Sequence, residues 1–450
     1  MLKKLIFAVS LFVAATASAY TIVDGSLEKS EIYPGTIHTY RISVPQGYNG
    51  DELCLYVGLD GILCDAPARI DSLASCGDIP QMTGIYIQPG IIYGKDGSTV
   101  LRYNRSNEFD ATDARFAQFL EEELIPAALA TAREAGYELK IKKGGENAMI
   151  FGLSSGGIAA FSAAWHRPGL FSRVFAGCTT FVPMRGGNDL QAIVRKSEPK
   201  QLRIFLQDGY SDSWNPLFGS WFESNQLMGS ALEFAGYDYN FDWADGGHSV
   251  KRASEIFSDV MKWLWRGYPT PLEKRSTGNE TISEMTSGAG EWVKYPYEPF
   301  EPNSAVAVYP DGTLRAMPDR GNQLSQELMD KDGSGYAAQR FYWLHAYNND
   351  GLLKGGMTFD GKGYLWVITD AGIQVCDQNG RVRAILDLPF DPRKIATKES
   401  RRSRRSAQTP TRMEVNDGEI VIYTPEAIYR RKMNVRAATA GVRPKSEGQG

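Results

Sequence analysis

Histidine is scarce in this chain: four among 450 residues. Any chemistry that needs an imidazole must therefore choose among His38, His166, His248 and His345. Cysteine is scarce too, at five, and no Cys/His cluster has the spacing of a zinc site. Neither charge sign prevails: 49 basic and 53 acidic residues give a formal net charge of −4, which leaves no electrostatic footprint for nucleic acid. A neutral substrate fits at least as well as a charged one. Beyond the first twenty residues no apolar run reaches the length of a membrane span. What is present is enough for a sizeable core: 42% hydrophobic and 11% aromatic residues, over a length that suggests two or three domains.

The N-terminus reads as a secretory signal. Lys3 and Lys4 supply the charge, Leu5 to Ala15 the short apolar stretch, and Ala17-Ser18-Ala19 the small-residue cleavage pattern. The expectation is a signal peptide over 1–19, a mature chain from Tyr20, and a secreted or periplasmic protein with no membrane span after cleavage. No cysteine stands at the cleavage point for lipid attachment. Export permits disulfides, and Cys64 with Cys76, bracketing a short loop, is the favoured pair; buried thiols near one sheet edge are the alternative.

The chain is organised around Gly152-Leu153-Ser154-Ser155-Gly156-Gly157. A β-type run, Ala148 to Phe151, leads in, and a helical run, Ile158 to Trp165, leads out. Gly-x-Ser-x-Gly between strand and helix is the context of a nucleophile elbow, which lifts a serine Oγ clear of the sheet. Upstream, strands are expected at Thr36–Val44, Leu53–Val57 and Ile85–Gln88, with a helix over Phe116–Ala135 that Pro126 kinks or restarts. Downstream, strands at Arg173–Ala176, Leu202–Leu206 and Tyr239–Trp243 alternate with helices near Trp221–Ala235 and Ala253–Trp265. Such alternation argues for a mostly parallel sheet covered on both faces, with ligands beyond the carboxyl ends of its strands.

A serine hydroxyl needs a base. His38 falls inside an early strand and His166 at a helix end, both suited to structural roles. His248 follows a strand on a Gly-Gly loop and comes after the acid candidates, giving the chain order serine, acid, histidine. Two carboxylates stand after the strand Leu202–Leu206: Asp208, close to the strand beside Gly209, and Asp212, further out where it can reach back. Asp212 is favoured over Asp208. For the oxyanion, the Ser155 N–H is one expected donor, and Asp60 or Gly61 in Gly58-Leu59-Asp60-Gly61 the other. Trp214 and Trp221, near the acid loop, are candidates to stack on a sugar or phenolic ring, with a core role equally open.

Several ordered segments resemble one family. Gly58-Leu59-Asp60-Gly61, Arg105-Ser106-Asn107-Glu108-Phe109-Asp110, the elbow, Gln207-Asp208-Gly209-Tyr210-Ser211-Asp212 and Gly246-Gly247-His248 are similar to secreted esterases of the enterochelin-esterase and feruloyl-esterase type. The resemblance covers about 30–268. It implies an α/β-hydrolase fold over 20–268, hydrolysis of a carboxylic ester without a cofactor or metal, and Asp212 as the acid. It also implies substrates among feruloyl or acetyl esters of plant polysaccharide and catechol siderophores, and export favours the polysaccharide. Arg105 and Glu108 are expected to pair and brace the floor of the site. A carbohydrate-binding protein on an esterase scaffold is the non-catalytic alternative.

After Trp265 the composition shifts. Residues 269–303, rich in Pro, Gly, Ser, Thr and Glu, read as a linker. Short β runs with Asp-Gly and Asn-Gly turns then fill 304–435 and read as an all-β domain. This stretch resembles blades of a gluconolactonase-type propeller. At about 40–45 residues per blade it supplies roughly three. The metal-binding carboxylates and asparagine of that family find no match, so the resemblance implies a partial, accessory domain rather than a metal-dependent lactonase. The run Arg401-Arg402-Ser403-Arg404-Arg405 reads as a solvated loop and 436–450 as a disordered tail.

Overall fold

The computed structural model describes residues 20–347, 353–390 and 411–446. The signal stretch and the Arg401–Arg405 run lie outside the described residues. The chain opens with β1 (Tyr20–Leu27), β2 (His38–Pro45), β3 (Glu52–Leu59), α1 (Ala66–Ser75) and β4 (Met82–Ile87). A hairpin, β5 (Ile91–Tyr93) and β6 (Val100–Tyr103), precedes α2 (Arg105–Phe109) and α3 (Arg115–Phe119). A π-helical turn, Leu120–Leu124, and α4 (Ile125–Glu134) continue α3. Pro126 in the first turn of α4 lacks the N–H an unbroken helix would use, so the expected restart falls there. Then come β7 (Lys140–Ile141), β8 (Ala148–Leu153), α5 (Ser155–His166), β9 (Arg173–Gly177), α6 (Asp189–Lys196) and β10 (Arg203–Gly209). The small hairpin β11 (Trp214–Asn215) and β12 (Gly219–Ser220) leads to α7 (Trp221–Phe234), β13 (Asp238–Ala244) and α8 (Val250–Trp265).

The central sheet runs β1-β2-β4-β3-β8-β9-β10-β13, with β7 paired on β3. Its first two pairings are antiparallel. From β4 onward every pairing is parallel. Strands buried on both faces read as continuous apolar runs, and their side chains divide by alternation. In β3, Leu53, Leu55, Val57 and Leu59 join the core under α3 to α7, whereas Cys54 and Tyr56 face α1 and α8. In β8, Ile150 points one way and Met149, Phe151 and Leu153 the other. This mostly parallel sheet, helix-covered on both faces, fits an α/β-hydrolase fold.

Cys64 and Cys76, the favoured disulfide pair, are both free thiols. The reason is α1: its ten residues, about 15 Å of helix, hold the two cysteines at opposite ends. Bridged cysteines keep their Cα atoms within about 7 Å.

The segment read as a linker is only partly one. It holds α9 (Glu280–Met285), with Ile282 and Met285 buried, and β14 (Val293–Tyr295). The C-terminal region adds β15 (Ala307–Val308), β16 (Leu314–Pro318), β17 (Gln323–Met329), β18 (Gly335–Trp343), β19 (Leu353–Phe359), β20 (Leu365–Thr369), β21 (Gly372–Cys376), β22 (Val382–Leu386), β23 (Arg412–Asn416), β24 (Glu419–Tyr423) and β25 (Ile428–Lys432). These form three four-stranded antiparallel sheets, β15 to β18, β19 to β22, and β14-β25-β24-β23. In the last, a strand from before the region pairs with its final strand. The tail expected to be disordered lies against the sheets as far as residue 446: the Gly441 N–H donates to the Pro310 carbonyl, and Arg443 pairs with Asp311.

The β-rich region docks on the α/β unit through shared core. Tyr342, Leu344, Tyr347 and Ile385 belong to the same cluster as Phe161, Trp165 and Ile193. The Trp165 Nε1–H donates to the Tyr347 hydroxyl at 2.7 Å. Arg431 grips Glu198 with two bonds of 2.7 and 2.6 Å, both side chains nearly buried. Lys196 Nζ donates to His345 Nε2 at 2.9 Å. All of these anchors lie at the C-terminal ends of α5 and α6 and before the first residue of β10. Because α5 is twelve residues long, the docking surface is about 18 Å from the serine end of that helix.

Candidate active site

Ser154 occupies the turn between β8 and α5 with φ +60° and ψ −123°, a backbone conformation that side-chain-bearing residues rarely adopt. Its surroundings over-determine it. The Ser154 N–H donates to the Gly177 carbonyl at 2.9 Å, and its own carbonyl accepts from Gly157, Ile158 and Thr180. The glycines are spatial requirements: a Cβ on Gly152 would drive into the Gly156 carbonyl, and one on Gly157 would lie 2.7 Å from Thr179 Oγ1. Such strain is stored where the fold needs a side chain presented outward.

His248 follows β13, and its Nε2 lies 2.8 Å from Ser154 Oγ. Its Nδ1 lies 2.7 Å from Asp212 Oδ1. With the Nδ1 proton donated to the carboxylate, Nε2 is left as the acceptor for the serine hydroxyl. The loops carrying acid and histidine are stitched together: Tyr210 N–H donates to Ala244 and Ser211 N–H to Gly246, each at 2.9 Å. The Asp212 side chain is 0% exposed and that of His248 is 30% exposed, so a buried acid orients an imidazole that solvent can reach. Burial pushes the Asp212 carboxyl upward. The His248 hydrogen bond, the Asp208 hydrogen bond and the Ser213 N–H outweigh it and hold the carboxyl below its usual value.

The two acid candidates are thus separated by geometry. Asp212 faces His248. Asp208 is fully buried at the end of β10, accepting from its neighbour Gly209 N–H at 2.7 Å and from Asn225 Nδ2 at 2.8 Å.

The expected oxyanion donors divide as well. Ser155 is the first residue of α5, so its N–H has no acceptor within its own helix. Gly61 is a correction: its N–H donates to the Ile87 carbonyl at 2.9 Å and is spent closing the turn onto the end of β4. Asp60 remains, with φ +60° and no hydrogen bond to its N–H among the described residues. Its carboxylate lies beside the elbow, 3.0 Å from where a Cβ on Gly156 would stand.

The expected Arg105–Glu108 pair does not form. Arg105 takes Asp60 in a two-pronged grip of 2.7 and 2.9 Å, the geometry its planar fork suits. Glu108 is buried and already satisfied by Asn104 Nδ2, Gly90 N–H and His38 Nε2. His38 and His166 serve the structure: His166, the last residue of α5, contacts the Thr112 carbonyl and packs edge-on to Tyr347.

Trp214 is 71% exposed on the β11–β12 hairpin, two residues from Asp212. Trp221, for which stacking on a substrate ring and a core role were equally open, is only 7% exposed. As the first residue of α7 it is drawn under the loops, where its Nε1–H donates to Thr180 Oγ1 at 3.3 Å and its ring meets His248 edge-on. It walls the site rather than offering a face. Thr180, whose Oγ1 lies 3.5 Å from Ser154 Oγ, and Asn225 belong to the same cluster. Sequence reading missed both, because a threonine after a strand and an asparagine inside a helix carry no signal of their own. Among the described residues no group of three His, Cys, Asp or Glu is arranged to hold a metal ion. No helix among them is long and apolar enough to cross a membrane.

No family model matches the chain, and no curated protein matches it. Among solved structures it is similar to a ferulic acid esterase, at 16% identity and a TM-score of 0.41, over 55% of this chain and 98% of that one. It is also similar to the enterobactin esterase from Shigella flexneri, at 19% identity and a TM-score of 0.43, over 55% of this chain and 59% of that one. A siderophore hydrolase from Aspergillus nidulans aligns at 16% identity and a TM-score of 0.38, over 60% of this chain and 99% of that one. At identities of this size, roles in this chain rest on its own geometry.

Proposed function

We propose that the chain is an exported serine esterase that hydrolyses carboxylic esters, with feruloyl or acetyl groups on plant polysaccharide as its substrates. The observation that carries the reading is the hydrogen-bonded run from Asp212 through His248 to Ser154, with spacings of 2.7 and 2.8 Å. In this reading Ser154 Oγ attacks the ester carbonyl as its proton passes to His248 Nε2. Asp212 holds the ring and stabilises its charged form. The oxyanion that develops is met by the Ser155 and Asp60 N–H groups. Collapse of the tetrahedral intermediate expels the alcohol, which takes the proton from His248. Water, deprotonated by the same nitrogen, then releases the carboxylic acid and restores Ser154.

Export rests on the Lys3-Lys4 charge, the apolar stretch and Ala17-Ser18-Ala19. The polysaccharide substrate rests on that export and on the exposed Trp214 ring beside the acid loop. The C-terminal sheets we read as a partial propeller, an accessory unit anchored at the far end of the hydrolase and contributing no residue to the reaction. A fluorophosphonate probe tests the nucleophile. Labelling of the mature protein that vanishes in Ser154→Ala supports the reading; absence of labelling in folded wild type overturns it. Turnover of feruloyl-arabinose, acetylated xylan and a catechol siderophore ester, compared in one assay, decides the acyl group.

A further inference from the structure

Asp208, the residue before the end of β10, and Asp212, four residues on, are two carboxyl groups near enough for each to shift the other's proton affinity, and both are shielded from water. Asp212 Oδ1 is fully occupied, taking His248 Nδ1 and the Ser213 N–H. Asp212 Oδ2 is buried, and if both groups are ionised it has no donor among the described residues. Two adjoining carboxylates do not ionise together without a cation to separate them, and one keeps a proton. Asp208 makes no ion pair among the described residues: its other contacts are the Gly209 N–H and the neutral Asn225 amide. The imidazole faces Asp212 alone.

We propose that Asp208 is a protonated positioning residue, whose carboxylic acid donates to the unpartnered Oδ2 of Asp212 and fixes the other oxygen on His248. The inference rests on the esterase reading for its kinetic consequence, not for the proton itself. Burial raises the Asp208 carboxyl first, and the contact with Asp212 and its charge raise it further, to about 9. The titratable groups packed around it agree. From the end of β9 comes the Cys178 thiol, which burial and then the two carboxylates push far above its usual value. From the loop after β13 comes His248, reached through Asp212. From α7 comes only Asn225. When Asp208 loses its proton a second negative charge stands against Asp212, and the pair moves apart.

Three variants and two readouts test this. Asp208→Asn keeps a donor toward Asp212 and stays within about tenfold of wild type in kcat. Asp208→Ala, which leaves Oδ2 bare and lets the acid rotate, loses about 10²-fold in kcat with KM unchanged. Wild-type kcat falls reversibly above about pH 9 as Asp208 ionises, and that alkaline limb is absent from Asp208→Asn. Infrared difference spectra of wild type against Asp208→Asn show a protonated-carboxyl band at neutral pH that disappears over the same pH range. An absent band, an alkaline limb that survives in Asp208→Asn, or equal losses in Asn and Ala overturns the proposal. Fluorophosphonate labelling, with Ser154→Ala as control, separates the two failures: unlabelled Ser154 removes the esterase reading, while the infrared band still decides the proton on Asp208.

Discussion

At the carboxyl ends of β3, β8, β10 and β13 the backbone is bent and crowded. Ser154 and Asp60 both have φ near +60°, Gly152 has no room for a side chain, and two carboxyls four residues apart, Asp208 and Asp212, are buried. At the opposite end of the same sheet, where the β-rich region docks, the contacts are regular. Apolar side chains share one core, Ser197 pairs with Ile385 of β22 in an isolated parallel β-bridge, and Arg431 and Glu198 form a matched buried pair. The first end holds strain and exposed polar reach; the second holds stabilisation. The contrast teaches where to look for each kind of effect: substitutions at the bent end change rate, and substitutions at the docking end change stability. Every prediction below breaks or sharpens that division.

The largest effect belongs to the serine. Ser154→Ala lowers kcat for aryl esters by about 10⁴–10⁶ and leaves the thermal midpoint within a degree or two of wild type. The two measurements belong together, because a variant that loses both rate and midpoint places stability at the bent end and breaks the division. At the docking end the signs exchange. Arg431→Ala strands the Glu198 carboxylate in the interface and costs about 3–5 kcal/mol of stability. Its specific activity per folded molecule stays at the wild-type level. Denaturant unfolding beside active-site titration reads both quantities.

How much of this was legible in the sequence differs between the ends. The elbow was legible because strand, Gly-x-Ser-x-Gly and helix are contiguous in the chain, and His248 followed from there being so few histidines. Asp212 over Asp208 was a matter of reach along a loop, which spacing conveys. The Gly61 N–H was not legible: whether a turn amide is free depends on where β4 ends, at Ile87, and that is set by pairing across the sheet. Trp221 stayed undecided between stacking and core for a similar reason, since burial at the start of α7 follows from how the helix docks on Thr180, not from its neighbours in sequence. The 269–303 segment escaped because a six-residue helix and a three-residue strand are shorter than any window in which periodicity shows.

Within the bent end, Arg105 and Asp60 provide a finer test. Asp60 holds a left-handed backbone that glycine adopts freely. If the guanidinium acts by fixing that backbone, and with it the N–H, then Arg105→Met lowers kcat by about 10²-fold in the wild-type chain, as losing an oxyanion donor does. In an Asp60→Gly background, where the conformation no longer needs the grip, the same substitution costs only a few-fold. A rise in KM of equal size in both backgrounds means that Arg105 binds substrate, and the brace is refuted.

The smallest effect is a pH dependence at the docking end. Burial, and then the charge of Lys196, lower the His345 pKa to about 4. The neutral ring accepts from Lys196 Nζ in the fold, whereas in the unfolded chain it titrates near its ordinary value of about 6.5. Between those values the unfolded chain binds the extra proton, so stability rises with pH. The contribution is complete above about pH 6.5 and is lost as the pH falls toward 4. The full shift is worth on the order of 3 kcal/mol, less whatever solvent reaching the ring recovers. His345→Gln keeps an acceptor for Lys196 and cannot take the proton, so its unfolding free energy flattens across this window while wild type slopes. Rate at the far end of the sheet does not follow: with enzyme still folded at pH 6, kcat for His345→Gln matches wild type. A variant that flattened the stability curve and also shifted the pH–rate profile would show that the two ends of the sheet are coupled.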